Sequence, residues 1–328
     1  MKKIVIVLSK DFLPGSIIGP MEMFLKVNDF YKSIDPMAAP FFHVVTAAKD
    51  KTPIQHGPIT FFPDFIVDEL TESDFILVPA IHTDIPGALE RNESIIQWIQ
   101  KMYLVQNTEL ISVCMGAFIL GATGLLDGKK ATTHWLGAEL FQNMFPKVDL
   151  RPEIIITDQD GIYTSGGATT YMNLVLYIID KYCGREVALW ASKLFLVDFD
   201  KVTQNYFAMF STQKMHRDES IKKAQRYIEE NYQAPISVDL LADHISVSRR
   251  NFVRRFKKAT HNTPLKYIQR VKVEAAKKQL ETTSHPVSQI MYKVGYQDTK
   301  SFRKVFKNIT GLTPLEYRRK YSRELIFN

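Results

Sequence analysis

The sequence predicts two folds in series: an α/β body with a mainly parallel sheet over residues 1–200, and an all-α domain of two helix-turn-helix units over residues 219–328. Three observations predict this. Short apolar runs suited to buried strands alternate with helical patterns through the first part. Formal charge changes sign along the chain: residues 1–210 carry 17 Lys+Arg and 24 Asp+Glu, a net −7, whereas residues 211–328 carry 25 and 11, a net +14. The basic part also superposes on itself at one fixed offset.

In the body the strand-like runs are Ile4 to Leu8, Phe42 to Ala48, Phe75 to Val78, Leu110 to Val113 and Ile154 to Thr157. Helical patterns fill Met21 to Lys32, Ser94 to Val105, Gly116 to Ala122 and Ala168 to Tyr182. The first apolar run meets Ser9, Lys10 and Asp11, so it reads as a strand and not as a leader. No stretch approaches the roughly 18 apolar residues that cross a bilayer, and a cytoplasmic location without membrane contact is expected. The only cysteines in the sequence are Cys114 and Cys183; they offer no metal-ligand spacing and suit a reducing compartment. No metal or cofactor is implied.

Leu110 to Ala117 carries the pattern strand, Cys114, Met115, Gly116, helix, which is that of a nucleophile elbow. In such a turn the thiol sits at the amino end of a helix, where the helix field favours thiolate. Cys183, followed by Gly184, reads as structural. The polar stretch 201–218 reads as a linker, with one helical turn at Gln204 to Phe210.

The tail aligns with itself at an offset of 50: Phe252 falls on Phe302, Phe256 on Phe306, Lys257 on Lys307, Thr260 on Thr310, Pro264 on Pro314, Leu265 on Leu315 and Tyr267 on Tyr317. Each copy has an apolar helix, a short turn and a second helix, with Ser248 and Asp298 placed to cap the second helices. Phenylalanines four apart share one face and point at a core. The other faces carry Arg249, Arg250, Arg254, Arg255 and Lys258, or Lys300, Arg303, Lys304 and Lys307. Such a helix fits the major groove. Arg250, Arg254, Lys300 and Arg303 are expected to read bases, with Asn251 and Thr299 as weaker candidates; Lys257, Lys258, Lys307, Arg318 and Arg319 are expected on phosphates. Pro264 opens a connecting helix to about Leu280, about 25 Å long, able to hold two reading helices near one duplex turn apart.

The run Gly295-Tyr296-Gln297-Asp298, Ser301-Phe302, Phe306-Lys307, Gly311-Leu312-Thr313-Pro314 and Tyr317-Arg318 resembles the AraC-type DNA-binding signature, over residues 219 to about 322. Lys304 departs from it, since the family more often has arginine there. The resemblance implies sequence-specific binding of double-stranded DNA to regulate transcription. The body, over about residues 1 to 198, resembles the class I glutamine amidotransferase-like superfamily, in the branch of intracellular proteases and deglycases, which implies a flavodoxin-like sandwich. The matching features are Gly19-Pro20-Met21-Glu22, Cys114 on its elbow, Gly124-Leu125-Leu126-Asp127-Gly128, Ala131-Thr132-Thr133-His134-Trp135 and Thr164-Ser165-Gly166-Gly167.

By that resemblance Glu22 stands beside the Cys114 thiol and His134 is near enough to be its base. Met115 replaces the histidine that active members often have after the cysteine, and Ala80-Ile81 replace a Gly-Gly pair that supplies oxyanion donors. The expected function is therefore a ligand-responsive regulator with a non-catalytic, sensing or dimerising body. Its pocket would be lined by Glu22, Cys114, Met115, His134, Ser165, Gly166 and Gly167, whose backbone N–H groups would hold an anion from a small-molecule effector. The alternative is a cysteine-dependent amidase, protease or deglycase fused to a DNA-binding domain. A homodimer through the body is expected on architecture.

Overall fold

A computed structural model describes residues 1–82, 84–199, 203–210, 213–214 and 216–322. Within the expected linker, residues 201, 202, 211, 212 and 215 lie outside the described residues, as do residues 323–328 of the basic tail. The chain divides into two compact units, one ending at Gln204 and the other starting at Asn205.

The first unit runs β1 (Lys2–Val7), α1 (Gly15–Ile34), β2 (Phe42–Ala48), β3 (Ile54–His56), β4 (Ile59–Phe61), β5 (Phe65–Ile66), β6 (Phe75–Val78), α2 (Ile85–Arg91), α3 (Glu93–Gln106), β7 (Glu109–Val113), α4 (Ala117–Ala122), β8 (Lys130–Ala131), α5 (Ala138–Met144), β9 (Asp149–Leu150), β10 (Ile156–Gln159), β11 (Ile162–Ser165), α6 (Tyr171–Cys183) and α7 (Arg185–Phe195). Seven strands form one sheet in the order β10-β11-β7-β6-β1-β2-β5, parallel throughout except for β10 against β11. The order β2-β1-β6-β7-β11 is the flavodoxin-like winding, and the expected α/β sandwich is borne out. Helices α1, α6 and α7 pack together as one layer, and α2, α3 and α4 as the other. With both faces covered, Ile4 to Val7 and Phe75 to Val78 are continuously apolar and buried.

Several elements differ from their sequence reading for local reasons. Helix α1 begins at Gly15, not Met21, because Pro20 lies inside it and is passed over rather than ending it. The strand expected at Ile154 to Thr157 starts at Ile156, and a short strand, β11, was not anticipated although it is the fifth of the parallel set. The turn expected to be helical at Gln204 to Phe210 is one hydrogen-bonded turn, in which the Ala208 N–H donates to the Asn205 carbonyl at 3.2 Å.

The second unit comprises α8 (Glu219–Asn231), α9 (Val238–His244), α10 (Arg249–Thr260), α11 (Pro264–Thr282), α12 (Val287–Lys293), α13 (Thr299–Thr310) and α14 (Pro314–Tyr321). It has two cores. Phe252 and Phe256 pack with Ile221, Ile228 and Leu241 in one, and Phe302 and Phe306 with Ile290, Met291 and Val294 in the other. Helix α11 serves both: Tyr267, Ile268 and Val271 belong to the first core, Val273, Ala276 and Leu280 to the second.

The duplication extends to hydrogen bonds. Thr260 Oγ1 donates to the carbonyls of Phe256 and Asn262, and Thr310 Oγ1 to those of Phe306 and Leu312. The Tyr267 hydroxyl donates to Glu229 on α8, and the Tyr317 hydroxyl to Glu281 on α11. Helix α8 therefore supports the first copy as α11 supports the second. The turns between the paired helices need a left-handed residue, supplied by Ser246 (φ 55°) and Gly295 (φ 77°). At Gly295 glycine is required twice over, because a Cβ there would lie 2.4 Å from the Gln233 carbonyl oxygen.

Candidate functional site

Helices α10 and α13 are built alike. The Ser248 side chain accepts the Asn251 N–H at the start of α10, and the Asp298 carboxylate accepts the Ser301 N–H at the start of α13. Each helix is anchored by its fully buried phenylalanine pair. With that face fixed, Arg249, Arg250, Arg254, Lys257 and Lys258 on α10 are exposed, and so are Thr299, Lys300, Arg303, Lys304 and Lys307 on α13. Asn251 is half-buried, and its Oδ1 accepts from the Arg254 guanidinium at 2.9 Å, so these two present a joined polar group. Arg249 meets Asp239 at 3.3 Å in an exposed pair.

Two expected cations have other partners. Arg255 is half-buried and donates twice to Asp218, Nε to Oδ2 at 2.9 Å and Nη2 to Oδ1 at 2.6 Å. The same carboxylate caps α8 by accepting the Ile221 N–H. Arg255 thus ties α10 to α8 instead of joining the open cationic face. Arg318 is half-buried and donates to the His285 carbonyl, while Arg319 is exposed. Sequence reasoning missed Asp218 because the acid lies 37 residues from its arginine.

Two lysines on α11 also fall inside the fold. Lys272 donates to the Gly295 carbonyl at 2.9 Å, and burial pulls its ammonium below the usual lysine range. Lys277 donates to the Ala208 carbonyl and pairs with Glu274. These charges hold the connector in place and are not available to a polyanion.

In the body, Cys114 occupies the turn between β7 and α4 with φ 55°, a left-handed conformation costly for a side chain bearing a Cβ. Gly116 allows the turn to close, since a Cβ there would lie 2.4 Å from the Pro79 carbonyl oxygen. Cys114 is 5% exposed, and burial pushes its thiol up to about 11, against a smaller lowering by the Met115 backbone N–H. At neutral pH it is a thiol and not a thiolate.

The remaining pocket residues are placed as follows. Glu22 is exposed on α1, acting electrostatically on Lys26 and Tyr171, and among the described residues it makes no hydrogen bond to Cys114. His134 is half-buried; its Nδ1 accepts the Leu136 N–H at 3.1 Å, and burial lowers its basicity. The elbow's direct partner from the histidine loop is Thr133, whose Oγ1 donates to the Cys114 carbonyl at 3.0 Å. Met115 packs near Gly137. The Ala80 N–H, at the position of the expected oxyanion donors, donates to Ser16 Oγ at 3.0 Å. At the glycine turn the Gly166 N–H donates to the Ile155 carbonyl, and Ser165 Oγ is buried without a hydrogen-bond partner among the described residues.

Sequence reasoning also missed Gln204. Its side chain is buried against Gly166, where a Cβ would lie 2.2 Å from Nε2. Nε2 donates to the Thr133 carbonyl at 2.8 Å, and Oε1 accepts the Trp135 N–H at 3.2 Å. The Gln204 backbone N–H donates to the Glu153 carbonyl. The last residue of the first unit therefore fills the space between the glycine turn and the loop that carries His134.

Fold and sites together define a doubly wound α/β domain with a strained cysteine elbow, joined to a paired helix-turn-helix domain. Residues 2–181 match the DJ-1/PfpI family, and the chain belongs to that family. Residues 241–320 match the helix-turn-helix domain of AraC type, so both resemblances read from the sequence are borne out.

The chain is 28% identical over 214 residues to the HTH-type transcriptional regulator GbdR of Pseudomonas aeruginosa, a match covering 65% of this chain and 58% of that protein. It is 23% identical over 320 residues to the HTH-type transcriptional regulator CdhR of the same species, covering 95% and 92%. A solved structure of a putative transcriptional regulator from Vibrio parahaemolyticus is similar in fold, with TM-score 0.53 at 19% identity, over 59% of this chain and 98% of that one.

Proposed function

We propose that this protein is a sequence-specific DNA-binding transcriptional regulator of AraC type whose DJ-1/PfpI body is a non-catalytic module for ligand sensing or dimerisation. The observation that carries the reading is the pair of similarly capped helices, α10 and α13, each with an aromatic inner face and a cationic outer face, held on one connecting helix. Helix α11 has 19 residues and is about 28 Å long, close to the roughly 34 Å of one duplex turn. Arg250, Arg254, Lys300 and Arg303 read bases, helped by Asn251 and Thr299, and Lys257, Lys258, Lys304, Lys307 and Arg249 serve the backbone. That GbdR and CdhR are named transcriptional regulators supports the same reading.

The protein works in the cytoplasm; among the described residues no helix is long and apolar enough to cross a membrane. It acts as a homodimer through the body, where Ile18 and Leu25 are exposed on α1 two turns apart. A monomeric mass by light scattering, with and without bound duplex, counts against the dimer.

Sequencing the fragments that the purified protein retains from random duplex DNA tests the central claim. Enrichment of a motif with two contact blocks about one turn apart is expected; retention without any enriched motif removes it. The strained φ of Cys114 favours one other reading, a cysteine-dependent hydrolase. The raised thiol, the engaged Ala80 N–H and the Nδ1 of His134 held by Leu136 weigh against it. A Cys114→Ala variant that still regulates, from a parent without turnover, disposes of the enzyme.

A further inference from the structure

A cavity of about 480 Å³ opens at the carboxyl ends of β1 and β2, away from the cysteine elbow. Doubly wound sheets bind ligands outside the carboxyl ends of their strands, and this cavity lies there, on the β2 side of β1, while the winding itself reverses between β1 and β6. The loops after β1 and β2 form two walls, Ile54 on β3 a third, and the junction of α2 and α3 the fourth. The volume suits a small organic molecule.

Its chemistry is uneven. The floor includes the buried apolar side chains of Leu8, Ala48 and Ile95. Two acids line the wall, and both are engaged. Asp11 receives a two-pronged contact from Arg91, Nε to Oδ1 at 3.0 Å and Nη2 to Oδ1 at 2.6 Å, and a further bond from Asn92 at 2.9 Å. Burial works to raise the Asp11 carboxyl, but these donors outweigh it and hold the group ionised below the usual range. Asp50 accepts the Thr52 N–H at 2.9 Å. Lys10 and Lys49 also line the cavity, both exposed, and neither has a hydrogen-bond or salt-bridge partner among the described residues. In a part of the chain with a formal net charge of −7, this cavity offers the ammonium groups of Lys10 and Lys49 above an apolar floor, with Lys49 also acting electrostatically on Asp50.

We propose that this cavity is the effector site of the regulator and takes a small organic carboxylate, its anionic group between Lys10 and Lys49 and its apolar body against Leu8, Ala48 and Ile95. The inference rests on the regulator reading only in calling the ligand an effector. Direct binding is independent of it.

The test is isothermal titration of the full chain with butyrate, hexanoate and benzoate, beside their uncharged amides. At least one carboxylate binds, its amide binds at least about tenfold more weakly, and Lys10→Gln or Lys49→Gln each weakens the carboxylate by about tenfold, the loss expected for one charge-assisted bond. Both lysines are exposed, so the variants fold. Absence of binding by all three carboxylates, equal binding of acid and amide, or unchanged affinity in the Lys10→Gln, Lys49→Gln double variant overturns the proposal. Fluorescence anisotropy with an enriched duplex separates the two readings. A chain that reads DNA but takes no carboxylate loses this site and keeps its regulator function, while carboxylate binding with equal affinity for all duplexes does the reverse.

Discussion

Two neighbouring arginines on α10 are expected to answer to different measurements. Arg255 makes two charge-assisted bonds to Asp218, and both side chains are less than one-third exposed, at 29% and 25%. Such bonds contribute about 1.5–3 kcal/mol each when sheltered, and solvent screening at this exposure brings the pair to about 1–2 kcal/mol. Asp218 is also the cap of α8, so Asp218→Ala removes about 1 kcal/mol more than Arg255→Ala.

The pH dependence follows from the carboxylate. The Arg255 guanidinium holds Asp218 below the usual aspartate range, with burial acting the other way. A depressed folded value stabilises the protein above the unfolded value near 4, and that stability is lost as pH falls through the folded one. The difference between parent and Arg255→Ala should therefore close below about pH 4. Hydrogen exchange of α8 and α10 amides reports this unit, while fluorescence of Trp98, Trp135 and Trp190, all in the body, serves as an internal control. Arg254→Ala, exposed and bonded to Asn251, should change stability by less than about 0.5 kcal/mol yet weaken specific duplexes by about 1–3 kcal/mol. Loss of duplex affinity in Arg255→Ala at unchanged amide protection would refute the division of roles.

Cys114 should alkylate slowly near neutrality, since a thiol at about 11 is about one part in a thousand ionised at pH 8, and its rate should climb about tenfold per pH unit toward that value; rapid stoichiometric labelling at pH 7 contradicts its buried state. Gln204→Ala leaves the Thr133 carbonyl and the Trp135 N–H without their partner, lowering body stability by about 2–4 kcal/mol in urea followed by tryptophan fluorescence. Gly166→Ala should also destabilise, and the two together should cost less than their sum, because one Cβ and one side chain compete for the same space; strict additivity counts against the packing. Gly295→Ala should reduce amide protection in α12 and α13 by about 1–2 kcal/mol, through both its φ and the Gln233 carbonyl; wild-type protection in that variant would show that the contact is slack.

What was legible in the sequence depended on how far apart the interacting residues lie. The alternation of the body and the duplicated tail could be read because strand apolarity, caps and phenylalanine spacing are local signals. Ser248, Asp298 and the buried phenylalanine pairs stand where those signals put them. The elbow at Cys114 was visible for the same reason, and its left-handed φ agrees with the pattern. Long-range pairings gave no such signal. Gln204 reaches back 71 residues to Thr133, Arg91 reaches 80 to Asp11, and Arg255 reaches 37 to Asp218. Each polar group is satisfied by a partner that only the folded topology brings near. Burial was equally hidden: Lys272 and Lys277 add to the basic count of the tail, yet both sit inside it.

Because the two cores of the tail share α11, that helix works as a caliper. On the proposed reading, side chains on α10 and α13 can change one at a time, and the bases preferred drift with them. The gap between the two contact blocks cannot drift in the same way. Adding one residue between Val271 and Val273 would advance the second module by about 1.5 Å and swing it by about 100°, tearing Val273, Ala276 and Leu280 from their seats. Descendants of this chain should therefore be free to alter the letters of an operator while inheriting its spacing unchanged.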